Sequence, residues 1–505
     1  MGLLKPGCRE IHHTERQLLP MIPDCDPILA VLPPGPGISP ARRLPPAMAW
    51  AGLGALLPLP GRAVTLADLN ERMASSSQFG AAWGWTLCGM TLLLLLLLTV
   101  YAVRHYIFSL NRLFGVQRHP YASVVSADWP RVTVFVAAHN EEAVIADCLV
   151  NLMAVDYPQG RMVVMPVNDR SSDRTREVID SVMLQYPGRI KPFHRTSGKP
   201  GKAAALKDAT ALVDTDFIIV FDADYLPSRG LIRRLMAPFV DPEVGAVMGR
   251  VVPNNVGANL LTRLLDLERS GGYQVDQQAR MNLGLVPQYG GTVGGIRLAA
   301  LMAVGGWHDD VLAEDTDLTY RLLLGGWQTV YHNRAECYEE VPQCWAVRVR
   351  QIKRWAKGHN QAMVRHSLPL LWSGDLPWLI RIDGLLLLGV YLMSPILILG
   401  WLLSLLLYFT VSIDVATPAL LAIAFMGHSA LGNFAAFFEI AAATHLDRSR
   451  QRVRLIAFNW LGFIVSAVAI AKSVLDQALL DRLPGRGFHW DKTVRYRRAK
   501  PGPAT

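Results

Sequence analysis

Read for hydrophobic and polar positions alone, the chain alternates between long apolar blocks and a patterned middle. Trp83 to Val103 holds an unbroken leucine run from Leu93 to Leu98 and no Asp, Glu, Lys or Arg before position 104. About 20 such residues at helical rise cross a hydrocarbon core. Three more apolar blocks run from Gly384 to Leu407, Thr417 to Phe438 and Leu455 to Val474, the later two interrupted or flanked by His428, Glu439 and Asn459. The pattern predicts four spanning helices. Between the first block and the second, short apolar runs alternate with amphipathic stretches. Arg131 to Ala138 reads as a buried strand, and Glu141 to Ala154 as a helix with Asn140 as N-cap. Met162 to Val167 is a second strand, followed by a helix over Arg174 to Gln185. Phe217 to Phe221 is apolar on both faces, as a central parallel strand covered by helices must be. Repeated βα units predict an α/β fold with an open, doubly wound sheet, which binds ligands beyond the carboxyl ends of its strands.

Composition changes this picture in three ways. The formal net charge is +9, but the basic residues gather beside apolar blocks, as in Arg448, Arg450, Arg452 and Arg454 and again in Arg495, Arg497 and Arg498. That is the positive-inside pattern rather than a nucleic-acid surface. It places the region from Arg104 to Arg381, the 447–454 loop and the tail in the cytoplasm of a multi-pass inner-membrane protein in contact with lipid. Three spans after the middle region would set the tail outside, so one C-terminal block is expected to be re-entrant or interfacial. The six cysteines contain no C-x-x-C pair and no histidine at zinc-finger spacing, which points to a reduced compartment without structural zinc. Residues 1–79 are rich in proline and glycine and lack periodicity, so a disordered extension is expected there. Met48 and Met73 are candidate starts of the native chain, which intact mass decides. The expected organisation is 1–79 extension, 80–106 membrane helix, 107–373 cytoplasmic domain, 374–476 membrane region and 477–505 basic tail.

The candidate chemistry sits at strand ends. The third strand runs into Asp222-Ala223-Asp224, where residues two apart in extended chain point the same way. Two such carboxylates suit Mg²⁺ or Mn²⁺ bridging a diphosphate; a solvated pair in the turn before Pro227 is the alternative. Ala313-Glu314-Asp315-Thr316-Asp317 precedes a helix. Asp315 there is either a general base or simply part of a capped, dipole-favoured helix start. Gln351, Arg354 and Trp355 share one helical face. They suit a diphosphate and a sugar ring, while Arg348, Arg350, Lys353, Lys357 and Arg365 equally suit an interfacial helix on anionic lipid. Lys199-Pro200-Gly201-Lys202 places two cations where a phosphate can lie. Gln288 to Gly295 is too rich in glycine for a packed element and suggests backbone approach to a ligand.

In this order, these residues resemble the family 2 glycosyltransferases, and among them the membrane-bound synthases of cellulose, hyaluronan, chitin and poly-N-acetylglucosamine. The resemblance covers about Arg131 to Gln361. It implies a GT-A type mixed sheet in the cytoplasm, with an N-terminal and several C-terminal transmembrane helices. It further implies donor contacts from Ala138, Asn140, Glu142, Asp169, Lys202, Gln351, Arg354 and Trp355, and metal and diphosphate binding by Asp222 and Asp224. Asp315 would be the catalytic base, and Tyr289, Gly291, Thr292, Glu314 and Trp355 would meet the acceptor. The chain departs from the family at Asn168-Asp169, where two acids are usual, and at His139, where an aromatic is commoner. The expected reaction is inverting, metal-dependent transfer of a hexose or N-acetylhexosamine from a UDP-sugar to a growing β-linked glycan. The runner-up is a transferase making a glycolipid of the glucosyldiacylglycerol type, and a non-catalytic scaffold is a third reading, disfavoured by the intact acids. Four spans make a narrow channel, which points to a homodimer or an accessory subunit.

Overall fold

The structure is a computed structural model that describes residues 79–125, 128–410 and 433–479. The expected N-terminal extension, most of the apolar block from Thr417 and the tail from residue 480 lie outside the described residues.

The leucine-rich block forms helix α1 (Phe79–Phe114), longer than the apolar run alone predicts. It continues past Val103 because Arg104 and Arg112, both buried, find partners on other elements. Strand β1 (Val132–Ala138), α2 (Ile145–Met153), β2 (Met162–Asp169), α3 (Thr175–Gln185), β3 (Phe193–Arg195), α4 (Lys202–Thr210) and β4 (Phe217–Asp222) follow. Here β1 pairs in parallel with both β2 and β4, and β2 with β3. Val132, Val134, Phe135 and Val136 in β1 and Ile218 to Phe221 in β4 are fully buried, as their unbroken apolar runs require. One expectation fails locally. The first helix starts at Ile145, with Val144 at its N-cap position, and Asn140 is in the left-handed region at φ +56. Asn140 therefore shapes the loop and caps no helix.

The second half of the sheet is built from β5 (Leu226–Pro227), α5 (Leu231–Met236), β6 (Val244–Pro253), α6 (Leu260–Ser270), α7 (Gln278–Leu283), β7 (Gly294–Arg297), α8 (Leu298–Ala303), α9 (Glu314–Leu324) and β8 (Gln328–Glu339). The eight strands lie in the order β3-β2-β1-β4-β7-β6-β8-β5. Strand β7 is antiparallel to β4 and β6, and β5 antiparallel to β8, so the sheet is mixed. The glycine-rich stretch is thus partly a packed strand, against the sequence expectation. A Cβ on Gly294 would lie 2.3 Å from the Tyr289 ring, and one on Gly295 2.8 Å from Phe239. Those glycines admit aromatic rings to the core.

Beyond the sheet stand α10 (Trp345–Trp372), α11 (Trp378–Leu388), α12 (Met393–Thr410), α13 (Asn433–Leu446) and α14 (Asn459–Leu479). Among the described residues two helices are long and apolar enough to cross a membrane, Thr86–Phe114 and Ile456–Leu479. A third candidate is the pair Trp378–Leu388 and Val390–Leu406, bent by 49° at its break, and Phe434–Leu446 is shorter. Leu93, Leu96, Leu402 and Val468 on these helices are exposed, although large and apolar. Their roots are tied to the sheet domain by buried charges. Arg104 pairs with Asp383 at 2.8 Å and Asp276 at 3.2 Å, and Arg280 pairs with the same two carboxylates. Asp276 lies in a π-helical segment, Gly271–Gln277, that joins α6 to α7.

Candidate active site

Strand register alone brings several predicted residues to one edge. Ala138 stands opposite Asn168, and Ala137 opposite Asp222, so the loops leaving β1, β2 and β4 share the carboxyl end of the sheet. The first two loops are laced together. Asn140 donates its backbone N–H to Ser171 Oγ at 2.8 Å and accepts the Ser172 N–H at 2.7 Å on its side-chain oxygen. Glu142 accepts the Arg174 N–H at 3.0 Å. Asp169 accepts from Arg170 at 3.0 Å and Arg195 at 2.9 Å on one oxygen, and from the Gly201 N–H at 3.0 Å on the other. Burial opposes its ionisation, but those donors outweigh burial and hold its carboxyl below the ordinary value. Asp169 therefore fixes the loop that starts α4.

That loop delivers Lys202. Its Nζ donates to Asp222 Oδ1 at 2.7 Å and to the Gly291 carbonyl at 2.9 Å, and lies 3.7 Å from Glu314 Oε1. Burial favours the neutral amine, yet Asp222 and Glu314 outweigh it and raise the lysine pKa, so the group stays a cation. The Asp222 N–H in turn donates to Thr292 Oγ1 at 3.2 Å. Gly291 sits at φ +69, and a Cβ there would lie 3.0 Å from the Asp315 Cβ and 3.3 Å from its Oδ2. Only glycine suits both the backbone angle and that approach. Lys202 and Gly291 thus join the carboxylate at the end of β4 to the carboxylates at the start of α9.

Asp315 belongs to the first turn of α9, and the N-cap position is Ala313, which has no side-chain oxygen. Neither acid is therefore the N-cap residue itself. Asp315 Oδ1 accepts the Thr316 N–H at 2.7 Å. Burial first, and then the Glu314 charge, push the Asp315 carboxyl up to about 6, against the pull of the Thr316 N–H and Lys202. A carboxylate titrating there is ionised at neutral pH and more basic than an ordinary aspartate, as a general base needs.

Helix α10 docks on this corner. A Cβ on Gly358 would lie 2.7 Å from the Ala313 Cβ, so glycine permits the contact. His359 Nε2 bonds the Leu387 carbonyl at 3.0 Å and so carries the proton, leaving Nδ1 to accept from Thr316 Oγ at 3.3 Å. Trp355, one turn earlier, is flanked by the guanidinium groups of Arg269 and Arg348, 5.1 Å and 5.2 Å from its ring centre.

Comparison with known proteins decides what this edge belongs to. Residues 130–358 match the sequence model of the family described as glycosyltransferase like family 2. This region is similar to the family 2 glycosyltransferases. The chain is 33% identical over 239 residues to a Bacillus subtilis protein named "Probable glycosyltransferase YdaM", covering 47% of this chain and 57% of that protein. It is 35% identical over 254 residues to a beta-monoglucosyldiacylglycerol synthase of Synechocystis, covering 49% of this chain and 53% of that enzyme. The matches therefore span little more than half the length of those relatives. Among solved structures, a mannosyltransferase from Pyrobaculum calidifontis in complex with GDP-mannose and Mn²⁺ is 20% identical with a TM-score of 0.48, covering 77% of this chain and all of that one.

Within the glycosyltransferase domain, the predicted residues separate into those that meet and those that do not. Lys202, Asp222, Gly291, Thr292, Glu314 and Asp315 form one cluster. Asp224 lies in a turn. The chain turns after Asp222, with the Tyr225 N–H bonded to the Asp222 carbonyl at 3.2 Å, so the alternation of an extended strand does not reach it. Asp224 is buried. Among the described residues, no three Asp, Glu, His or Cys side chains are arranged to enclose a metal ion. The two aspartates still suit Mg²⁺ or Mn²⁺, which commonly take one or two carboxylates and complete their shell with water and substrate phosphate. Tyr289 is fully buried behind Gly294 and meets no open surface. Gln351 accepts from Arg348 at 2.9 Å, and Arg354 is half-buried on the same helix. Of the cations assigned to lipid, Arg348 is buried and bonded to Glu268, whereas Arg365 is exposed and binds Asp310 at 2.6 Å. Lys199 pairs with Asp309 at 3.3 Å. Sequence reasoning overlooked Arg269 and Glu339, whose pairing becomes visible only once β8 is known to end beside α6.

Proposed function

We propose that this protein transfers a hexose or N-acetylhexosamine from a UDP-sugar, with inversion, to an acceptor held at the cytoplasmic face of the inner membrane. The observation that carries the reading is the contact of Lys202 with Asp222, Glu314 and the Gly291 carbonyl, beside Asp315. The loops at Ala138, Asn140, Glu142 and Asp169 would receive the nucleoside, and Lys202 the diphosphate. Asp222 and Asp224, with phosphate oxygens, would hold Mg²⁺ or Mn²⁺, which supplies Lewis-acid stabilisation of the leaving diphosphate when bound. Asp315 would take the proton of the acceptor hydroxyl. An inverting transfer needs one base opposite the leaving group, so a second catalytic carboxylate is not required. Gln351, Arg354 and Trp355 would border the donor, and Gly291, Thr292, Glu314, Trp355 and, through its backbone, Tyr289 the acceptor. Burial of Tyr289 removes its side chain from that list.

Two products fit this chemistry equally. The order Gln351, Arg354, Trp355 resembles that of synthases of β-linked polymers, whereas a relative 35% identical over 254 residues is named as making a glucosyldiacylglycerol. The domain 107–373 would then stand between the membrane helix 80–106 and the membrane region 374–476, with a dimer or accessory subunit widening a narrow channel if polymer is exported. Purified full-length protein is given labelled UDP-glucose or UDP-N-acetylglucosamine with Mn²⁺ and membrane lipid. Label in lipid-extracted polymer supports the first product, and one organic-soluble glycolipid band supports the second. No UDP release with any donor rejects the function itself.

A further inference from the structure

We infer that Arg269 is a positioning residue that couples the donor loop to Trp355; the inference rests on the transferase reading above. The coupling is a continuous set of buried contacts. Tyr225, the residue after Asp224, donates its hydroxyl to Glu339 Oε2 at 2.9 Å. Glu339 closes β8 and is 5% exposed. Its other oxygen lies 2.6 Å from Arg269 Nε in an ion pair, while Arg269 Nη2 donates to Oε2 at 3.3 Å, so charge and one directional bond hold the two groups together. That guanidinium stands 5.1 Å from the centre of the Trp355 ring. Each link uses a directional group: a phenol, a carboxylate, a planar cation and an indole face. A shift of the Asp222-to-Tyr225 loop on nucleotide binding therefore moves the Glu339 carboxylate, and with it the cation that sets the indole plane. Donor occupancy would be reported to Trp355 from the diphosphate end of the site through protein contacts alone.

The test uses full-length protein in lipid nanodiscs, with hydrogen exchange followed with and without UDP and Mn²⁺. Tyr225→Phe removes one hydroxyl, and Arg269→Lys keeps a cation opposite Glu339 while losing the planar guanidinium that faces Trp355, so both variants retain the buried charge balance. In the unaltered protein, UDP should slow exchange by about tenfold at 220–226 and also at 345–358. In either variant the slowing at 220–226 should persist and that at 345–358 disappear. In turnover, KM for the acceptor should rise by about tenfold with KM for the donor unchanged, and the double variant should be no worse than either single one. Slowing at 345–358 that survives in both variants, or effects that add, overturns the coupling while leaving the transferase reading intact. Absence of any UDP effect at 220–226 in the unaltered protein overturns both.

Discussion

Asp315 is the residue on which the proposed chemistry turns, and its setting makes a prediction about pH. Burial and the Glu314 charge push it up to about 6. As a base it works only when ionised, so kcat/KM should fall as pH drops through that value, and the acid limb reports the free protein. Glu314 makes ionising Asp315 harder. Glu314→Gln should therefore move the limb to lower pH, and Lys202→Met, which removes a cation favouring the carboxylate, should move it higher. Position along the pH axis is the readout, since both substitutions also lower the rate. Much of this site was legible from residue types and order alone: Lys202, Asp222 and Asp315 were all picked out and do meet. Side-chain alternation does not describe Asp224, because it assumes extended chain where a turn begins. It was also blind to Tyr289, whose buried ring depends on Gly294 of a strand that the glycine content concealed.

At the level of elements, the joint between α9 and α10 holds the proposed base in place. Asp317, fully buried, accepts from Arg321 of α9 at 2.7 Å, lies 2.8 Å from His366 and 3.3 Å from Arg365 of α10, and lies 2.9 Å from His308. Burial opposes its charge, but these partners outweigh burial and hold its pKa far below the ordinary carboxylate range. A depressed pKa contributes stability that is present above the unfolded value and lost only as pH falls through the folded one. Asp317→Ala should thus cost about 3–5 kcal/mol at neutral pH, by removing the fully buried carboxylate that Arg321, Arg365, His308 and His366 share. Denaturant unfolding of the solubilised protein measures it, and a loss below 1 kcal/mol, roughly that of an exposed pair, would contradict the account. Gly358→Val should separate the same two helices, since its first side-chain carbon already meets Ala313 at 2.7 Å; a destabilisation of about 1–3 kcal/mol is the expected overpacking effect. Strands β1, β2 and β4 were readable as apolar runs. Strand β8 was not, because Gln328 to Glu339 mixes His332, Asn333, Arg334 and Glu336 into a pairing that only the completed sheet satisfies.

For the whole molecule, the sheet and the apolar helices are joined through charges that hydropathy alone treats as interruptions. Arg104 in α1 and Asp383 in α11 meet Asp276 and Arg280 from the segment that follows α6. Arg104→Ala should loosen the helices from the domain, seen as faster proteolysis of the segment near 271–283 while UDP binding is kept. The most direct test of the central claim is UDP release by Asp315→Asn in full-length protein, with UDP binding measured in parallel. The account predicts UDP bound as in the unaltered protein and donor-dependent release reduced by about 10²-fold or more. Release at the unaltered rate would show that Asp315 takes no proton and that the cluster around Lys202 is not where transfer occurs.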